Sequence, residues 1–403
     1  MIRADAVVVG AGPAGSACAL TLARAGLDVV VADRARFPRD KCCGDGLTAR
    51  ALQLLSGLGL EPAPAGRLAP VGRLALRSPS GRQLELQLAH DQAGAARRAD
   101  LDAWLLGAAR SAGARVLEGY GLAGLEAAED LKVRLRPEGG PDQVVAARFA
   151  VGADGVWSPL RKAAGAAEPG RYLGEWHALR QYFGGVGPRA QQAMWVFFEP
   201  DLLPGYAWSF PVPGGANVGF GLPRRPGRSA GEMARLWAGL LARPHLREVL
   251  GPGARPEGAP RSWPIPARLG RSPLAALGGR VLFVGDAARA ADPLTGEGIA
   301  QALETGVLAG RAIAAHPDPA SAAARYRREL AWGMRLDHAV AAGVSRLLAR
   351  PLAARGALSA VGRLAPARVP FSRWVMEDYP RAQGLTPWRW GRGAGAGRAA
   401  TRR

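Results

Sequence analysis

The spacing of apolar positions changes twice within the first 34 residues. Ala6 to Val9 is a continuous apolar run, the Ala and Leu positions after Pro13 recur at i, i+3 and i+4, and Val29 to Ala32 is continuous again. This predicts a buried strand, a helix and a second buried strand, one βαβ unit. Residues 73–88, "RLALRSPSGRQLELQL", alternate with period two around "SPSG" and predict a hairpin. A helix and a strand follow in "RRADLDAWLLGAARSAGARVLEG", and "FAVGADGVWSPLRKAAG" predicts another strand, a turn and a helix start. From about residue 176 to 222 the pattern becomes short strands, "QAMWVFFE", "YAWSFPVP" and "ANVGFGL", broken by Pro and Gly turns. The α/β pattern resumes at "GRVLFVGDAARAADPLTGEGIAQALETGVLAG", and residues 321–365 read as basic helix.

The expected fold class is therefore α/β: a Rossmann-like domain with an inserted antiparallel β-sheet domain and a helical C-terminal region. The expected boundaries are 1–72, 97–170 and 270–336 for the first, 73–96 and 171–269 for the second, and 337–390 for the third. Residues 391–403, "GRGAGAGRAATRR", have too little apolar surface to order and are expected to be a disordered basic tail.

Composition narrows this picture only a little. With 403 residues, 48% of them hydrophobic, the chain can build more than one core. Three cysteines cannot form a disulfide framework, and adjacent ones bridge only with strain, so a reducing cytoplasm is the expected location. The opening residues run directly into a strand, and no stretch reaches the roughly 18 apolar residues of a membrane span, so neither a leader nor an integral segment is expected. The net charge of +20 fits an anionic surface, or a coding bias towards Arg, Ala and Gly. No basic stretch is interleaved with base-stacking aromatics, so nucleic acid is not an expected partner. "VSRLLARPLAARGALSAVGRL" mixes apolar residues with Arg346, Arg350, Arg355 and Arg363, which makes it a candidate for peripheral membrane contact.

Candidate chemistry begins at Gly10, Gly12 and Gly15. They form G-x-G-x-x-G between strand and helix, and Asp33 closes the second strand. This is the pattern of a dinucleotide site: Gly10 for the tight turn, Gly12 for approach of a pyrophosphate, Gly15 for helix packing, and Asp33 for a ribose. From the residues alone, FAD and NAD both remain open. "RDKCCGDGL", Arg39 to Leu47, pairs Cys42 with Cys43, yet no C-x-x-C or suitably spaced histidine accompanies them. A zinc site, an iron–sulfur cluster and a dithiol pair are all disfavoured, and no metal is expected. Tyr206, Trp208 and Phe210 alternate and would share one strand face, an apolar wall for a long hydrocarbon. Trp195 and Phe197 would extend that face or pack behind it.

"GADGVWSPLR" and "VLFVGDAARAADPLTGEGI" resemble the second and third fingerprints of the FAD-dependent p-hydroxybenzoate hydroxylase fold. The resemblance implies FAD contacts by Gly10, Gly12, Pro13, Ala14, Gly15, Asp33, Arg34, Arg98, Asp154, Gly285, Asp286, Pro293, Gly296, Gly298 and Ile299. The amides from Gly296 to Gly298 would face the flavin ring and stabilise negative charge on it. "FPRDKCCGDGL", "PGYAWSFP" and "DPLTGEGI" further resemble the geranylgeranyl reductase family, with Tyr206, Trp208, Phe210 and Pro211 matching its Y-x-W-x-F-P pattern and Cys43 and Gly44 its C-G element. Cys42 departs from that family, where many members carry proline.

What the resemblance implies is an FAD-dependent reductase that saturates prenyl double bonds in a lipid or quinone. Cys43 and Tyr206 would be catalytic, Tyr206, Trp208, Phe210 and Trp195 would bind the substrate, and Cys43 and Gly44 would also meet the cofactor. Tyr206, Cys43 and a bound water are the candidate proton sources. The reductant would be NADPH or another donor, such as a reductase or ferredoxin partner. The alternatives are a flavin monooxygenase of an aromatic or polyketide substrate and a basic flavoprotein without turnover.

Overall fold

The βαβ unit forms where the periodicity predicts it: strand Ile2–Val9, helix Pro13–Arg24 and strand Val29–Asp33. The computed structural model describes residues 1–61, 66–89, 92–167, 172, 174–224 and 230–382. Residues 391–403 and the expected end of the helical region, 383–390, lie outside the described residues. Strand Ile2–Val9 sits centrally in an eight-stranded sheet, parallel to Val29–Asp33 on one side and Gln143–Gly152 on the other. Arg115–Glu118 and Val281–Phe283 add parallel strands at the two flanks. Helix Pro13–Arg24 packs against helix Ile299–Ala315, and the sheet's buried Val and Phe residues complete the core. Such continuous apolar strands belong to a parallel sheet covered on both faces.

The second sheet has seven strands in the order Arg255–Ile265, Trp176–Gly184, Gly215–Pro223, Tyr206–Val212, Met194–Phe197, Arg73–Arg77 and Gln83–Gln87. The predicted hairpin is present, with Arg73 opposite Gln87. It is not independent of the inserted sheet. Arg73–Arg77 runs parallel to Met194–Phe197, so the sheet is mixed rather than wholly antiparallel. One face packs on helices Ala230–Leu241 and Pro244–Leu250. The other face turns towards the first domain.

A third sheet has three strands, in the order Gly46–Thr48, Ala93–Ala95 and Ala69–Pro70. Helices Leu336–Leu348, Pro351–Arg363 and Ala365–Val375 then cross the junction. Among the described residues no helix is long and apolar enough to cross a membrane.

Candidate active site

One cavity of about 1060 Å³ runs between the two sheets. That is at the upper end of the roughly 300–1,000 Å³ usual for ligand pockets. Gly10, Gly12, Pro13, Ala14, Asp33, Arg34, Arg98, Asp154, Gly155, Gly285 and Asp286 line one end. Cys43, Gly44, Gly296, Gly298 and Ile299 line the middle, and Tyr206, Trp208 and Phe210 the opposite wall. Motifs separated by up to 289 positions, from Gly10 to Ile299, therefore share one space.

The dinucleotide end fits its expected guest. Gly10 has φ +102°, and a Cβ there would lie 2.3 Å from the carbonyl oxygen of Ala153. A Cβ on Gly15 would lie 1.8 Å from the carbonyl oxygen of Gly10, so Gly15 serves helix packing and does not line the cavity. Above Gly12 the space is bounded by Nη2 of Arg39 at 3.7 Å and Nη2 of Arg98 at 3.9 Å from a built Cβ. A side chain would fill that gap. Without one, two guanidinium groups and an uncapped helix N-terminus face the same small volume, which suits a pyrophosphate. Both arginines lean on the buried Asp102, Arg98 through two hydrogen bonds of 2.8 and 2.7 Å. Asp33 accepts from the amides of Ala11 and Ala35, at 2.7 and 2.8 Å, which orients its carboxylate at the end of the strand. Asp154 accepts from Ser158 and from the Leu160 amide, and burial raises its pKa to about 6.

Two expectations need correction. Trp195 is opposite Ser209 in the ladder, while Val196 is opposite Trp208. Directly paired residues share a sheet face, so Trp195 and Phe197 point away from the cavity into the core against helices Ala230–Leu241 and Pro244–Leu250. Trp195 is not part of the wall; Met194, Val196 and Phe198 are. Pro293 turns the chain beside the cavity without lining it.

The loop "DPLTGEG" also differs in detail from the expectation. The Gly296 amide donates back to Asp292, and the Glu297 amide to the Thr295 hydroxyl. Glu297 Oε1 accepts from the amides of Ile299 and Ala300 at 2.8 and 3.1 Å, capping helix Ile299–Ala315 with a carboxyl group. The Gly296 amide is thus engaged within the loop rather than offered to a ligand.

The cysteine loop is fixed by residues that period-two reading does not reveal. Asp45, fully buried at φ +63°, accepts from the Tyr182 hydroxyl and from Asn217 Nδ2. Asn217 Nδ2 also donates to the Cys43 carbonyl at 2.8 Å, and Asn217 Oδ1 accepts from Trp208 Nε1 at 3.0 Å. The signals available were a polar residue inside the apolar strand "ANVGFGL" and an acid directly after "CCG". Burial raises Asp45 to about 6 despite these donors, and its Oδ1 is buried with no hydrogen-bond partner among the described residues. Gly219 has a similar purpose: a Cβ there would lie 2.5 Å from the Trp208 ring, so glycine lets the indole lie across the neighbouring strand. Trp208 in turn stacks 6.1 Å from Phe210, and Tyr206 tilts against Trp208 at 6.1 Å.

Burial raises the Cys43 thiol to about 12, so it keeps its proton, and its sulfur accepts from the Asp45 amide at 3.4 Å. Cys42 donates to the Arg261 carbonyl at 3.3 Å, at the more open edge of the same cavity. Lys41, which sequence reasoning passed over, lies over the Trp263 ring at 3.6 Å and is lowered by burial to about 8. Among the described residues no cluster of His, Cys, Asp or Glu is arranged to hold a metal.

Residues 3–198 match the family described as FAD binding domain. A menaquinone reductase of Mycolicibacterium smegmatis is 36% identical over 76% of this chain and 75% of its own length. A digeranylgeranylglycerophospholipid reductase of Methanopyrus kandleri is 33% identical over 81% of this chain and 85% of its own. Among solved structures, a geranylgeranyl bacteriochlorophyll reductase-like protein from Thermoplasma acidophilum superposes with a TM-score of 0.77 at 21% identity, covering 96% of this chain and 99% of that one. A flavin-dependent brominase superposes with a TM-score of 0.69, also at 21% identity, over 86% and 87%. Both likenesses are of fold.

Proposed function

The chain belongs to the geranylgeranyl reductase family of FAD-dependent oxidoreductases, and from that premise we propose that it saturates carbon–carbon double bonds in the prenyl chain of a lipid or quinone. The observation that carries this reading is the continuity of the cavity. The dinucleotide turn at Gly10–Asp33 and the aromatic wall of Tyr206, Trp208 and Phe210 border one space, with Cys43 and Gly44 between them. Beyond the wall, Leu348, Ala354, Ala357, Leu358, Phe371 and Val375 from the C-terminal helices extend the apolar lining. A long hydrocarbon meets carbon atoms along most of such a path, which keeps water from the reacting end.

FAD, once reduced, supplies the hydride for this chemistry. The chain supplies the slot. Arg39, Arg98 and the N-terminus of helix Pro13–Arg24 would hold the pyrophosphate, while Asp33, Asp154 and Asp286 would serve the ribose and ribityl hydroxyls. Gly44 would let a flat ring come close to its backbone, and a built Cβ there would meet the Trp208 indole at 3.5 Å. Tyr206 donates its hydroxyl to the Thr295 carbonyl, which ties the aromatic strand to the loop that starts helix Ile299–Ala315. Tyr206, Trp208 and Phe210 orient the chain of the substrate, and Cys43 shapes the dry end of the slot. NADPH or a protein electron donor is the proposed reductant.

Access to such a substrate is proposed to be from a membrane surface. Trp332, Leu336, Leu347, Leu352, Leu364 and Val369 are large apolar residues exposed within one run of helices. Arg346, Arg350, Arg355, Arg363 and Arg368 intersperse them, a composition that suits an anionic bilayer. The same helices line the cavity on their inner side. The test of the overall reading is mass spectrometry of prenyl lipids and quinones from cells with and without the chain. A gain of one hydrogen pair per saturated bond supports it; identical profiles contradict it.

A further inference from the structure

Protonation of an unactivated alkene carbon needs an acid held inside the apolar cavity, and the structure offers several candidates. The hydroxyl of Tyr206 is committed to the Thr295 carbonyl. The Cys43 thiol, pushed up to about 12, is a weak acid. Asp45 accepts at Oδ2 from Tyr182 and Asn217 and is raised only to about 6, so it has released its proton at neutral pH. We propose that Glu297 is the group that holds the proton of the reduction and delivers it to the substrate.

The geometry favours this residue for three reasons. Glu297 lines the cavity in the loop to which Tyr206 is tied. Its Oε1 is saturated by the amides of Ile299 and Ala300, which leaves Oε2 to carry the proton. Its electrostatic surroundings are acidic: Asp292 and Glu377 divide the guanidinium of Arg381 between them, at 3.0 and 3.1 Å. Glu297 itself has no ion pair among the described residues. The groups that face it are Glu377 from the C-terminal segment, Asp292 on its own loop, Tyr206 from the aromatic strand and Cys43 from the cysteine loop. His338 and Arg381 face Asp292 from behind. Ionising Glu297 would place a further negative charge in that dry cluster. A helix N-terminus ordinarily favours a carboxylate, but here burial and then the charge of Glu377 win and hold the acid at about 8.

The inference rests on the prenyl-reductase reading. In the step, the alkene π bond breaks, one carbon takes the hydride supplied by the reduced cofactor, and the other takes the Oε2 proton. Glu297 is left as a carboxylate, which burial and Glu377 disfavour, and it recovers a proton from water when the product leaves. The proton is therefore released into the substrate by a group that gains little from ionising. This cost is offset by the hydride transfer that accompanies it.

The test compares the FAD-loaded parent with Glu297→Gln, whose amide oxygen can still accept from Ile299 and Ala300. Infrared difference spectra across a pH titration should show one protonated-carboxyl stretch in the parent that disappears near pH 8 and is missing in the variant. Both proteins should carry FAD and be reduced by dithionite. Single-turnover saturation of a prenylated quinone should fall about a hundredfold or more in the variant, the usual scale of a lost general acid. The parent rate should decline above pH 8, and the residual rate of the variant should lack that limb. A carboxyl band titrating near pH 8 that persists in the variant, or a variant that turns over as the parent does with the same pH limb, overturns the proposal. A parent that shows the band but saturates no alkene overturns the reductase reading instead.

Discussion

Asn217 donates from Nδ2 to the backbone carbonyl of Cys43 at 2.8 Å, joining residues 174 positions apart in the chain. The same side chain holds the indole of Trp208 and the carboxylate of Asp45. One buried amide therefore sets the distance between the cysteine loop and the aromatic wall. Asn217→Ala leaves several buried polar groups without their partner, and an unsatisfied buried group costs roughly 1 to 3 kcal/mol. Urea unfolding should show a loss of at least that order, and prenyl saturation should fall even in the fraction that retains FAD.

Cys43 and Cys42 should separate by function and by reactivity. Burial raises both thiols, to about 12 and about 11, so neither is a thiolate at neutral pH, and alkylation by iodoacetamide should be slow for both. Cys43→Ser should keep FAD and lose most alkene saturation, because a more strongly hydrated hydroxyl enters the dry end of the slot. Cys42→Ala should lose far less. Flavin content, flavin reduction and single-turnover product yield, measured on both variants, check this.

The buried carboxyls fix the direction of the pH dependence. Glu297 is raised from 4.5 to about 8 and Asp45 from 3.8 to about 6. Between each pair of values the folded chain holds a proton that the unfolded chain has released, so stability from these groups is full at low pH and is lost as pH rises. Asp292 acts oppositely: burial pushes it up, but Arg381 prevails and holds it below the ordinary aspartate value. Its contribution is present at neutral pH and is lost on strong acidification. The melting temperature should therefore decline as pH rises from about 5 to about 8, and Glu297→Gln should flatten the upper part of that decline.

Asp33→Ala should weaken FAD binding by roughly 1 to 3 kcal/mol, since it removes a half-buried acceptor and frees the amides it orients. Titration of the apoprotein with FAD, followed by flavin fluorescence, measures it.

The exposed apolar residues on the C-terminal helices should bind vesicles. Flotation with phosphatidylglycerol vesicles should recover the protein at low salt and less of it at high salt. Leu352→Glu combined with Leu364→Glu and Val369→Glu should abolish recovery; all three sites are exposed. Recovery unchanged by these substitutions would place membrane contact elsewhere.

What sequence could reveal followed the range of the interactions concerned. The glycine turn at Gly10–Gly15 and the aromatic wall at Tyr206–Phe210 are written in local spacing, since strand and helix periods are properties of neighbouring residues. Trp195 packs away from the cavity, and period two does not show this, because it groups residues by face without saying which face meets helices Ala230–Leu241 and Pro244–Leu250. The Asp45–Asn217–Tyr182 network and the Asp292–Arg381–Glu377 cluster are made by residues far apart in the chain. Nothing in their local patterns indicates a partner. Glu297 read as one letter of a glycine-rich loop until the C-terminal segment brought Glu377 beside it.

Single-turnover reduction of a prenylated quinone by the FAD-loaded protein, pre-reduced with dithionite and quenched for mass spectrometry, tests the central claim most directly. The expected product carries one added hydrogen pair per turnover, located in the prenyl chain, and both added hydrogens are deuterium when flavin reduction and turnover are run in heavy water. Recovery of the quinone with its prenyl chain unchanged, while the flavin is shown to be bound and reduced, would contradict it.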